Sequence, residues 1–178
     1  MLAPKGFTQQ TDKKAYVAAR MAAQKRVGLL RFTWAVRVLA IAMTLYGVNT
    51  LLTSGSRTSH LLWGAALILV ALTMVAIWEA AVVPYMKAKS TLDFETFDAI
   101  MNHAAVTFAA DEMTLSTPLM TRRVEYAKTR VCIELPARFV IVADDDSVLI
   151  LEKDCFSDRE ATITFLRDVF ARWYCRMK

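Results

Sequence analysis

The sequence predicts a two-part membrane protein. Two transmembrane helices form an α-helical hairpin, and a small cytoplasmic α+β domain follows, an antiparallel sheet or open barrel of about six strands with a C-terminal capping helix. Three observations lead there. Hydrophobic residues make up 56% of the chain, above the roughly 45–50% of soluble domains. Charge is divided unevenly: residues 1–90 hold 11 Lys and Arg against 2 acids, and residues 91–178 hold 11 against 15. From about residue 104 the apolar period changes from helical to alternating.

A bilayer core about 30 Å thick needs roughly 20 apolar residues in a helix. Two segments are long enough, residues 32–52 ("FTWAVRVLAIAMTLYGVNTLL") and residues 61–84, and the Gly- and Ser-containing residues 53–60 ("TSGSRTSH") form a tight turn between them. The chain thus divides into a basic cytoplasmic N-terminal helix (1–31), the hairpin (32–89) and the cytoplasmic domain (90–178). Lys5, Lys13, Lys14, Arg20, Lys25, Arg26 and Arg31 precede the first span and Lys87 and Lys89 follow the second, while the turn carries only Arg57. The positive-inside rule then predicts a multi-pass protein of the inner (plasma) membrane with both termini cytoplasmic. Those seven bases also argue against a cleaved signal peptide. Trp34 and Trp78 fall near the inner ends and Tyr46 and Trp63 toward the outer half, as interfacial anchors do.

Each span contains one charge. Arg37 lies about sixteen residues before the turn and Glu79 about twenty after it, so an antiparallel hairpin brings them to similar depth and lets them pair within the membrane. A structural pair, snorkelling to the headgroups and a proton- or ion-relay role all remain open. Before the spans, residues 11–31 put Tyr16, Ala19, Ala23, Val27 and Leu30 near one weakly apolar helical stripe. Such a basic helix either lies on the anionic inner leaflet or serves as a solvated lead-in.

In the second half, "AVTFAA", "MTLST", "RRVEY", "RVCIEL", "RFVIVA" and "SVLILE" read as six strands separated by turn signals. The acidic "DDD" at residues 144–146 joins two nearly all-apolar strands as a solvated hairpin turn and lacks the ligand spacing of a calcium loop. "SDRE" at residues 157–160 reads as a capping box opening the last helix. There Ile163, Leu166, Phe170, Trp173 and Met177 recur on one face that covers the sheet.

The ordered set Val106-Thr107-Phe108, the acidic turn at Asp111, Tyr126, the apolar strand at residues 139–142, "LILEKDCF" and a closing helix resembles the YcxB-like family of bacterial membrane proteins. Two spans before a small C-terminal domain match that family's layout. The resemblance implies a pleckstrin-like domain held at the inner membrane and carries over no catalytic residues.

No catalytic constellation is visible. Neither His60 nor His103 has a catalytic neighbour in sequence, and the five glycines form no phosphate-binding loop. Cys132, Cys155 and Cys175 lack metal or disulfide spacing and read as reduced packing residues, with Cys155 near Lys153 the one open to a reactive reading. No cofactor or metal is expected. The candidate contacts with lipid or a partner are Arg122, Arg123, Lys128, Arg130 and Lys153, to which Arg138 adds. The net acidic second half disfavours nucleic acid. The leading expectation is a non-enzymatic membrane protein whose module binds a protein partner or self-associates at the phospholipid bilayer. A lipid-headgroup sensor and a small transporter or channel component using Arg37 and Glu79 are the alternatives.

Overall fold

The computed structural model describes residues 3–53 and 57–177, arranged as two compact units, Met1–Gln24 with Lys89–Lys178, and Lys25–Ala88. The centre of the expected turn, residues 54–56, lies outside the described residues.

The smaller unit is a helical hairpin. After a 3₁₀ turn at Leu29–Phe32 come α2 (Thr33–Thr53) and α3 (Thr58–Ile77), α1 being the N-terminal helix Lys13–Arg26. Small residues let the two helices touch. Ala40 and Gly47 on α2, and Gly64 and Ala71 on α3, repeat at heptad spacing and are buried. A Cβ on Gly47 would stand 2.8 Å from the Gly64 carbonyl, and a Cβ on Gly64 would stand 2.8 Å from that of Gly47. Close backbone approach through small residues is how helices pack where water supplies no driving force. Trp78 Nε1 donates to Thr33 Oγ1 at 3.0 Å across the open end of the hairpin.

A π-helical turn, Trp78–Val82, links α3 to α4 (Val83–Ile100). Its cause is local: Pro84 has no N–H and its ring would crowd the carbonyl four residues earlier, so the preceding turn widens. Leu39, Ile41, Leu45, Leu69 and Leu72 are all exposed. Both long helices are apolar and long enough to cross a membrane, and only 11% and 6% of their apolar windows are buried.

The larger unit is built on two four-stranded sheets. The first runs β1 (Phe7–Thr8), β2 (Ala105–Phe108), β3 (Glu112–Ser116) and β4 (Thr121–Glu125), all antiparallel. The second is ordered β7 (Val148–Glu152), β6 (Arg138–Ala143), β5 (Thr129–Glu134) and β8 (Tyr174–Arg176), with β8 parallel to β5. The six expected strands are β2 to β7. The two short outer strands, β1 and β8, are additions that come from the ends of the chain.

Alternation along the strands builds the core. Val106, Met113, Leu115 and Val124 from one sheet join Cys132, Phe139, Ile141, Leu149 and Leu151 from the other, and α5 (Arg159–Val169) adds Phe165 and Leu166. The opposite set on β5 to β7, Val131, Ile133, Val140, Val142 and Ile150, is buried too. Strands covered on both faces read as continuous apolar runs, as "RFVIVA" and "VLILE" do.

The N-terminal segment is part of this unit. Gly6 approaches β2 so closely that a Cβ would stand 2.7 Å from the Val106 carbonyl. The Thr11 amide donates to Asn102 Oδ1 at 2.7 Å, and Asn102 Nδ2 donates back to the Thr11 carbonyl at 3.0 Å. On α1, Tyr16 packs on Phe94 and Phe97, and Arg20 pairs with Asp93 at 3.1 Å. The stripe Tyr16, Ala19 and Ala23, expected either at a leaflet or in solvent, is therefore spent on packing within the chain. Residues 3–24 belong with the sheets, in contrast to the separate segment 1–31 that composition suggests.

Two helix ends also differ from expectation. The N-cap of α5 is Asp158, whose carboxylate accepts from the Ala161 amide at 3.1 Å, while the Ser157 hydroxyl donates to the Gly6 carbonyl at 3.1 Å. The helix stops at Val169, so Trp173 and Met177 lie outside it. The chain instead extends along the edge of β5, where the Cys132 amide donates to the Trp173 carbonyl at 2.9 Å and an otherwise open sheet edge gains a partner. At the end of α4, His103 adopts φ 85°, which turns the chain out of the helix and into β2.

Candidate functional site

Glu134, at the end of β5, is the most heavily bonded side chain of the larger unit. Its carboxylate accepts from Lys153 Nζ at 2.8 Å, from Arg167 Nε and Nη2 at 2.9 Å each, and from the Tyr174 hydroxyl. Lys153 also donates to the carbonyls of Leu135 at 2.8 Å and Pro136 at 3.3 Å, and lies 5.0 Å from the centre of the Phe139 ring. All three ammonium protons are thus used. Burial alone would raise the Glu134 carboxyl, but the bonds from Arg167, Lys153 and Tyr174 and the Lys153 charge outweigh it and bring it down to about 2. Burial followed by the bond to Glu134 pushes the Tyr174 hydroxyl up. The group ties β5, α5, β8 and the segment after β7 together.

This placement corrects the expected role of Lys153. Its sequence context places it with bases open to lipid or a partner, yet its side chain is only 6% exposed and locked to Glu134. A buried ammonium persists only with a full set of acceptors, and those acceptors come from sequence-distant carbonyls and a carboxylate.

The remaining bases are exposed to different degrees, and each meets an acid. Arg122 reaches Asp145 at 2.8 Å, Arg130 reaches Asp146, Lys128 reaches Glu125 at 2.7 Å, and Arg138 reaches Glu152 at 3.4 Å. Arg123 is the loosest, 3.9 Å from Glu112 with its side chain 73% exposed. The "DDD" turn therefore serves the bases, with Asp145 and Asp146 neutralising Arg122 and Arg130. In the hairpin unit, Arg37 donates to Glu79 Oε1 from Nη2 at 2.6 Å and from Nε at 3.2 Å. The pair is made across α2 and the π turn.

A cleft of about 830 Å³ opens beside the end of α5. Asp111, Glu112 and Glu125 belong to its lining, the last two carboxylates already facing Arg123 and Lys128, together with Tyr126, Val169 and Trp173. Tyr126 is buried, donates its hydroxyl to the Ala109 carbonyl at 3.1 Å, and is held well above the ordinary phenol range, chiefly by burial. In sequence, Asp111-Glu112 reads only as a turn signal, and nothing local joins it to Trp173.

No family model, curated protein or solved structure matches this chain. The chemistry must be read from its own side chains. Among the described residues no group of three His, Cys, Asp or Glu is arranged to hold a metal ion. Cys132 is buried, and burial raises its thiol far above the ordinary value, while Cys155 and Cys175 are partly buried and unpaired in any disulfide.

Proposed function

We propose that this chain is a non-enzymatic integral protein of a bacterial inner membrane, a member of the YcxB-like family in which α2 and α3 span the bilayer and the two-sheet unit is a pleckstrin-like interaction or regulatory module on the cytoplasmic side. The exposed apolar surface of α2 and α3 carries this reading. So continuous a band of exposed leucine and isoleucine is unstable in water and natural in lipid. The bases flanking the two helices favour cytoplasmic termini. In this reading Arg37 and Glu79 form a structural pair near the inner headgroups, since each charge already has its partner. The module's partner is a protein or a second copy of the chain.

Alkaline carbonate extraction combined with impermeant maleimide labelling tests it. The protein is expected to stay in the membrane pellet. Arg57→Cys should label from the outside of intact cells, and Lys13→Cys only after permeabilisation, with sites read by mass spectrometry. Release into the supernatant, or protection of Arg57→Cys in intact cells, would overturn the membrane assignment or its topology.

A further inference from the structure

The β3–β4 hairpin ends in Pro118, Leu119 and Met120, three exposed apolar residues in a row, with Leu119 75% exposed. An exposed leucine alone is ordinary. What distinguishes this tip is its backbone. Pro118 has no N–H, and the amides of Leu119 and Met120 donate to the Thr117 hydroxyl at 3.3 and 3.1 Å. The Thr117 amide in turn donates to the Met120 carbonyl at 2.8 Å. Every N–H of the turn is thus satisfied within the turn, which lowers the cost of taking it out of bulk water. Below the tip the chemistry becomes polar in steps. Ser116 and Thr121 face each other with hydroxyls 3.2 Å apart, and Arg123, loosely paired and largely exposed, follows on β4. At about 3.4 Å per strand residue, Arg123 lies on the order of 10 Å behind Leu119.

We propose that the β3–β4 tip inserts into the surface of an anionic phospholipid bilayer, with Leu119 and Met120 at the acyl boundary and Arg123 at the phosphate level. That depth and sequence of groups match the apolar-to-charged gradient of a leaflet, where insertion reaches about 5–10 Å below the headgroups. The occupant is lipid because a chain with two spans keeps its other unit tethered at a bilayer, and because Arg123 complements anionic headgroups. The inference rests on the reading of α2 and α3 as spans. It gives the module a lipid contact centred on an apolar tip, with Arg123 the only base of the expected set that takes part.

The test uses full-length protein reconstituted in vesicles of equal parts phosphatidylcholine and phosphatidylglycerol. A diazirine amino acid replaces Leu119, Leu69 on the exposed face of α3, or the exposed Asp154, and photo-adducts are read by mass spectrometry. Phospholipid adducts are expected at positions 119 and 69 and not at 154. Arg123→Glu should lower the adduct yield at 119 by at least fivefold, about the factor for losing one near-surface base, the added carboxylate acting in the same direction, and leave that at 69 unchanged. Adducts at 69 with none at 119, or a protein adduct at 119 in place of lipid, would overturn the tip proposal and leave the spans standing. An Arg123→Glu yield equal to that of the parent would overturn the part assigned to charge. Absence of lipid adducts at both 69 and 119 would remove the span reading and the tip proposal with it.

Discussion

Lys153 and Glu134 illustrate how a residue's role depends on partners far away in sequence. Lys153 sits 19 residues from Glu134, Arg167 33 and Tyr174 40, so nothing in "LILEKDCF" marks the lysine as buried. Lys128 meets Glu125 three residues away in sequence, but the meeting of Arg122 and Arg130 with Asp145 and Asp146, and of Arg123 with Glu112, follows from how the strands and their turns pack. Glu134→Gln leaves Lys153 buried without its counter-charge and is expected to cost about 3 kcal/mol, measured by urea unfolding in mild detergent. Acid should expose the same group. With its carboxyl near 2 against an ordinary 4.5, the folded state binds fewer protons than the unfolded state between those values. The stabilisation is therefore complete above about pH 4.5 and is lost as pH falls toward 2. The stability of the Glu134→Gln variant should change less with pH across that window, and an unchanged slope would remove Glu134 from the account.

Elements were legible where their signal was periodic. The six strands β2 to β7 stand where alternation (β2–β4) or short all-apolar runs bounded by turn signals (β5–β7) place them, because each turns at least one face to the shared core. Helix ends were less legible. Ser157 and Asp158 are both good capping residues; Asp158 takes the cap, and the serine hydroxyl donates to the Gly6 carbonyl. Asp158→Ala is expected to cost about 1 kcal/mol, with Ser157→Ala costing less, as read from paired denaturation curves. Equal losses would mean that the cap is shared. The end of α5 departs from its periodicity: Trp173 and Met177 keep helical spacing, but the free edge of β5 draws the chain into β8. The small-residue seam of α2 and α3 is visible in sequence only after Gly47 and Gly64 are known to face each other.

At the scale of the whole molecule the chain passes between its two units twice, at Gln24–Lys25 within α1 and at Ala88–Lys89 within α4. Neither crossing is a loop, which is why composition could not place the first boundary. The hairpin itself offers a direct check on the Arg37–Glu79 pair. Arg37→Glu is expected to lower the thermal stability of the full chain by about 1–2 kcal/mol, less than the roughly 3 kcal/mol of a charge at mid-span. Adding Glu79→Arg should restore most of it. A double variant no more stable than the single would show that the two charges act separately.

The sequence by itself determined the bipartite layout, the two long apolar helices, the six central strands and the closing helix. These rest on local periodicity, apolar length and charge asymmetry, which are properties of contiguous residues. Only the tertiary structure decided that residues 3–24 fold with the sheets, that β1 and β8 extend them, that Lys153 is buried and that Arg122, Arg123, Arg130 and Arg138 meet acids. Each of those outcomes depends on which distant groups packing brings within hydrogen-bonding reach, and that information is not carried by any one segment.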